Sequence, residues 1–188
     1  MQFMLEDTRQ NIINAAIFIF NEDLSAPLEK VADQATVTRR TLHRYFSNRE
    51  ELLAACNEEM QKSCGLAMKA AEQRSDDPLV QLEYLLYAAI DCGVKYAFLH
   101  KLHHMHGHQH VHKDKDCARY DRTFGKIQHI IEKLKDKGII SKLITVEWIA
   151  IFFPGIVTAS INSHASGNMD NEHLKKLAWF SFSKGIGV

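Results

Sequence analysis

Apolar residues recur along this chain at helical rather than strand spacing. Ile13, Ala16, Ile17 and Phe20 form one stripe of a first helix, residues 8–22, and Asp7 with Gln10 is spaced as a capping box at its start. Leu28, Val31, Ala32 and Ala35 fall at i, i+3, i+4 and i+7 and predict a short second helix with Pro27 in its first turn. Val37 follows in a tight connection. Thr38 has the chemistry of an N-cap and opens a third short helix ending near Phe46. Ser47 with Glu50 predicts a capping box for a long fourth helix over about residues 48–73. Ser75, Asp76, Asp77 and Pro78 then break the chain and start a fifth helix, continued by Leu82, Leu85, Leu86 and Ala89. A His-rich segment broken at Gly107 leads to a helix over 115–137, stopped by Gly138. Two last helices cover roughly 145–163 and 171–184, with Ser166, Gly167 and Asn168 as the turn between them. Strand-like alternation is almost absent. The pattern predicts an all-α protein of about nine helices, with a three-helix head over 1–50 and a helical body over 51–188.

Composition changes this picture only locally. Across 188 residues the formal net charge is zero, with 46% hydrophobic and 24% charged residues, so total charge gives no nucleic-acid signal. From Thr36 to Arg49, however, there are four arginines and no acid. On the third helix Thr41, Leu42, Tyr45 and Phe46 form two i,i+4 pairs on one side, and Arg39, Arg40, His43 and Arg44 form two on the other. A short helix with an apolar back and a basic front suits the major groove of DNA, where Arg reads guanine or clamps phosphate. A solvated basic face gives the same pattern. Cys56, Cys64, Cys92 and Cys117 have no CxxC spacing and read as reduced, mostly buried thiols of a cytoplasmic protein. Met1–Gln10 lacks a signal-peptide pattern, and the longest apolar run, Trp148–Ile161, is short for a membrane span and reads as a buried core helix. No nucleophile elbow, P-loop, HExxH or dinucleotide fingerprint is present, which argues against an enzyme.

The wider N-terminal segment, T-R-Q-N-I-I-N-A-A-I-F-I-F from Thr8 and V-A-D-Q-A-T-V-T-R-R-T-L-H-R-Y-F-S-N-R-E-E-L-L from Val31, closely resembles the signature of TetR-family transcriptional regulators. The resemblance covers about 45 residues. It implies a helix-turn-helix DNA-binding domain followed by a helical ligand-binding and dimerisation domain. By position it implies that Thr38 caps helix three and meets a phosphate. Arg39, Arg40, Thr41, His43 and Arg44 would form the reading face, with the Tyr45 hydroxyl and Arg49 reaching phosphates. Three departures stand out. The connection from Asn21 to Ala26 is about two residues short, with Ala26 and Pro27 in place of a Thr or Ser before helix two, so that one phosphate contact is expected to be missing. Thr36 occupies the place of a turn glycine, where a β-branched residue is strained at positive φ, and His43 replaces a tyrosine.

The resemblance also implies a homodimer, because one recognition helix per chain needs a second about one turn of DNA away. Stripes Trp148, Phe152, Ile156, Ser160 and Leu174, Leu177, Ala178, Ser181 are the candidate interface; each is equally consistent with monomer core. A small-molecule effector among the middle helices is expected to meet Met60, Cys64, Tyr84, Tyr87, Asp91, Phe98, Tyr120, Phe124 or Phe153. The expected function is that of a repressor released from a palindromic operator by this effector, with no cofactor required. An alternative stays open. His100, His103 and His104 share helical spacing, and His106, His108, His110 and His112 alternate; imidazoles so placed suit Zn, Ni or Cu, for a metal-responsive regulator or a metal-binding protein.

Overall fold

The computed structural model describes the backbone of residues 2–103, 115–165 and 170–188, and the side chains of 7–98, 101–102, 125–163 and 170–188. Among the described residues there are nine α-helices and no strand: α1 Gln2–Glu22, α2 Leu28–Gln34, α3 Arg39–Tyr45, α4 Arg49–Glu72, α5 Pro78–Cys92, α6 Val94–His103, α7 Lys115–Asp136, α8 Val146–Ala165 and α9 Asn171–Gly185. The chain divides into two compact units, Met1–Lys62 and Ser63–Val188, so the boundary falls inside α4.

In the first unit the stripe predicted for α1 is buried: Ile13, Ala16, Ile17 and Phe20 are all at most 2% exposed, joined by Ile12. Val31, Ala32 and Ala35 face them from α2 and its C-cap, Leu42 and Phe46 from α3, and Leu52, Cys56 and Met60 from α4. Each large side chain so buried is worth about 1.5–3 kcal/mol against exposure. Two cap predictions need correction. The first helix starts at Gln2, so Asp7 lies within it and caps nothing; no Gly or Pro precedes it to stop the helix. At α4 the box is shifted by one residue. Asn48 Oδ1 accepts from Glu51 N at 2.8 Å, and Glu51 Oε2 accepts from Ser47 N and Oγ at 2.8 and 2.6 Å. Those two bonds from Ser47 hold the Glu51 carboxyl below its ordinary value.

The α2–α3 connection closes through two hydrogen bonds, Thr36 N to Asp33 O at 3.0 Å and Val37 N to Ala32 O at 2.9 Å, around a left-handed residue. That residue is Thr36, at φ 55, so the strain expected from its type is present. The same arrangement ends α7 with Gly138 at φ 68, where Gly138 N donates to Lys135 O and Ile139 N to Leu134 O, both at 2.9 Å. There a glycine takes the left-handed position without penalty.

In the second unit α5 is central and packs on α6, α7, α8 and α9. Leu82, Leu85, Leu86, Ala89 and Ile90 are its buried residues. Asp77 caps it by accepting from Leu79 N at 2.8 Å, with Pro78 in the first turn. Gly93, at φ 53 and ψ −125, separates α5 from α6. An aromatic cluster fills the far side: Phe153 meets Phe182 edge-on at 5.5 Å, Phe152 stacks on Phe182 at 5.5 Å, and Tyr96 lies 6.3 Å from Phe153. The Trp148–Ile161 run is not wholly core. Ile149, Phe153, Val157 and Ser160 are buried on one side of α8, while Trp148 is 53% and Ile151 66% exposed on the other.

Candidate nucleic-acid interface

The short helix α3 is set by its cap. Thr38 is extended at φ −73 and ψ 153, and its Oγ1 accepts from Thr41 N at 3.1 Å. Leu42 is fully buried and Phe46 1% exposed, so the helix is held by its back. The Arg9 guanidinium covers the Phe46 ring at 5.3 Å. Thr38, Arg39, Arg40, His43 and Arg44 are exposed, and Thr41 is half-buried. The predicted face is therefore present, but its members differ in freedom. Arg39 Nη1 is paired to Glu29 Oε1 of α2 at 2.8 Å. Arg44 lies over the Tyr45 ring at 5.3 Å with its guanidinium still exposed.

Two residues given phosphate roles by resemblance are placed differently. The Tyr45 hydroxyl is buried and has no hydrogen-bond partner among the described residues. The Arg49 guanidinium donates through Nη1 to Leu24 O at 2.7 Å and through Nη2 to Ser25 O and Ala26 O, and it covers the Phe20 ring at 4.7 Å. It closes the α1–α2 connection rather than standing free. Nothing in the sequence marks this, because its partners are main-chain carbonyls. The Glu29 pairing was equally hidden, since it exists only once the α2–α3 turn brings the two helices together.

In the second unit, Tyr84, Tyr87 and Asp91 line an open groove of about 510 Å³ together with alanines of α4, Arg74, Glu172 and Lys175. Arg74 stacks over Tyr84 at 4.9 Å, and the Tyr87 hydroxyl donates to Glu83 Oε1 at 2.6 Å. Burial and the Glu83 carboxylate push the Tyr87 hydroxyl above its ordinary range. Lys175, nearly buried, bridges Asp91 Oδ1 at 2.8 Å and Glu172 Oε1 at 3.0 Å. Burial alone would lower its ammonium, but the two carboxylates outweigh this and raise it. Arg74, Glu172 and Lys175 were not expected at this groove. Met60, Phe98 and Phe153, expected at a pocket, are instead core residues at most 2% exposed, and Cys64 is fully buried. Tyr120 and Phe124 lie outside the residues whose side chains are described.

Of the interface candidates, Trp148 and Leu177 are exposed, as is Ser181, while Phe152 and Ile156 are half-buried. Ser160, Leu174 and Ala178 are buried within the unit and present no surface. Ile151 at 66% and Phe180 at 62% exposed are further large apolar side chains open to water on α8 and α9. The spacing of Trp148, Ile151, Phe152 and Gly155 carries that signal, but α8 is apolar all round and offers no polar face to orient it. His104, His106, His108, His110 and His112 lie outside the described residues, and nothing is described of the side chains of His100 and His103. Among the described residues no group of three or more His, Cys, Asp or Glu could hold a metal ion.

Two short helices joined by a tight turn, the second presenting arginines outward, form a helix-turn-helix. Residues 12–56 match the family described as bacterial regulatory proteins, tetR family. This N-terminal segment is similar to the DNA-binding region of that family. An 88-residue segment, 47% of this chain and 47% of the relative, is 30% identical to the HTH-type transcriptional repressor LfrR of Mycolicibacterium smegmatis. The match therefore spans about half of the relative's length. The TetR-like fold extends over nearly the whole chain. The crystal structure of LfrR from Mycobacterium smegmatis in complex with proflavine superposes with a TM-score of 0.68 at 21% identity, covering 97% of this chain and 98% of that one. A TetR family transcription regulator from Marinobacter aquaeolei VT8 does so at 0.65 and 16% identity, covering 99% and 98%. The fatty acid degradation regulator FadR from Bacillus halodurans gives 0.60 and 17%, covering 96% of each.

Proposed function

We propose that this protein is a transcriptional repressor of the TetR type that binds a palindromic operator as a homodimer and is released by a small-molecule effector. The observation that carries it is α3, with Leu42 and Phe46 buried behind it and Arg40, His43 and Arg44 exposed in front. Each bidentate arginine–guanine contact discriminates by about 1–3 kcal/mol. Repression is supported by the partial likeness to the repressor LfrR. Dimerisation is supported by Trp148, Ile151, Leu177 and Phe180, which leave an apolar face on α8 and α9 exposed to water.

The groove at Tyr84 and Tyr87 is the favoured effector site, and its two rings suit an aromatic ligand. The LfrR structure with proflavine points the same way. An effector releases DNA only by favouring the non-binding state, with a coupling of about 1–3 kcal/mol. Selection of bound duplexes from a random pool, with and without proflavine and related aromatics, tests this proposal. A palindrome whose recovery falls with one compound is expected. Enrichment of no sequence, or of asymmetric single half-sites, would overturn the dimeric operator reading.

A further inference from the structure

Cys64 and Cys92 meet across the α4–α5 hairpin. The register of that hairpin is fixed by Arg74 over Tyr84 at 4.9 Å and by Gln81 Nε2 donating to Glu72 O at 3.2 Å. The same antiparallel run sets Cys64 opposite Cys92, near enough for each thiol to shift the titration of the other. Both cysteines are free. Cys64 is buried, whereas Cys92 is half-buried at the last turn of α5, just before the left-handed Gly93. The Lys95 ammonium is close enough to act on both sulfurs. Neither thiol has a part in the DNA-facing helix.

We propose that Cys64 and Cys92 are a peroxide-oxidisable dithiol that closes to an intramolecular disulfide. Cys92 is the attacking sulfur, because it alone of the pair is partly open to solvent. The neighbouring Cys64 thiol holds it below the ordinary value, against burial and the Asp91 carboxylate, with Lys95 helping. Its thiolate attacks one peroxide oxygen; an S–O bond forms, the O–O bond breaks and hydroxide leaves, giving a sulfenic acid. Cys64 then attacks the Cys92 sulfur; the S–S bond forms, the S–O bond breaks and water leaves with the Cys64 proton. Two thiols and one peroxide thus give a disulfide and two waters. Cys56 is the internal control. It is fully buried, and burial pushes its thiol up to about 12.

A consequence for DNA binding rests on the repressor reading: α4 supplies Leu52, Cys56 and Met60 to the head's core, so a cross-link on α4 acts on a helix the head shares. The chemistry does not rest on it. Trypsin places each cysteine on its own peptide, with Cys64 on Ser63–Lys69, Cys92 on Ser75–Lys95 and Cys56 on Glu50–Lys62. Treating the full chain with about a tenfold excess of hydrogen peroxide, then mapping it without reduction, is expected to join Ser63–Lys69 to Ser75–Lys95 within one chain, reversibly by dithiothreitol, while Cys56 stays free. Cys92→Ser should slow the oxidation of Cys64 roughly tenfold or more, and Cys64→Ala should leave a sulfenic acid on Cys92 that dimedone traps. Free thiols on both wild-type peptides, a link between chains only, or Cys92 running to the sulfinic acid without a link would overturn the proposal. Affinity of oxidised and reduced protein for the selected palindrome is read separately. A disulfide with no palindrome recovered would sink the repressor reading and leave the dithiol standing.

Discussion

Thr36 and Arg49 show how much one side chain decides in the head. The α2–α3 turn needs a left-handed residue, and Thr36 supplies it at φ 55 where a glycine would sit without strain. The left-handed conformation costs an L-residue about 1–2 kcal/mol, and glycine's extra chain entropy offsets about half of that. Thr36→Gly should therefore stabilise the protein by about 0.5–1 kcal/mol in urea unfolding with an unchanged slope; a loss of stability would mean that the methyl and hydroxyl make contacts worth more than the strain. Arg49 acts in the opposite sense. Its guanidinium satisfies carbonyls of Leu24, Ser25 and Ala26, and hydrogen bonds from a charged group contribute about 1.5–3 kcal/mol. Arg49→Ala is expected to lower stability by about 2 kcal/mol, read from the same curves, and a variant as stable as the parent would return Arg49 to the phosphate role.

At the level of the helices, what could be read from sequence depends on whether residue type alone carries the signal. Thr38 caps α3 and Asp77 caps α5 as their types predict, and the inward stripe of α1 is the buried one. The α4 cap was displaced by one residue because Ser47 and Asn48 are both capping types and Glu50 and Glu51 are both acids. Only the backbone path chooses between them. The α5–α6 break at Gly93 went unread, since a single glycine in a helical run is ambiguous until its φ is known. On α8, apolar residues on every side hid which face lies inward. The α4 cap has a pH consequence. Its two bonds from Ser47 hold Glu51 below 4.5, so the stability it contributes is present above that value and is lost as pH falls through the depressed value. Glu51→Gln should flatten the acid dependence of unfolding as pH falls through and below the ordinary glutamate range, and an unchanged profile would show the box to be energetically idle.

For the whole molecule, the proposed repression needs two heads on one duplex. The exposed Ile151 and Phe180 are where a second copy should seat, and a stable interface buries about 1,200–2,000 Å² in total. Ile151→Glu with Phe180→Glu is expected to give a folded monomer in sedimentation with its helical content retained; a persistent dimer would place the interface elsewhere. The account as a whole turns on the outward face of α3. The most direct test is the equilibrium affinity of Arg40→Ala/Arg44→Ala for the palindrome selected by the parent protein, at fixed salt, beside thermal unfolding of both. Affinity is expected to fall at least about a hundredfold with the unfolding temperature nearly unmoved, because both residues are exposed and only the contact of Arg44 with the Tyr45 ring is lost. Parent-like affinity in a folded double variant would contradict it.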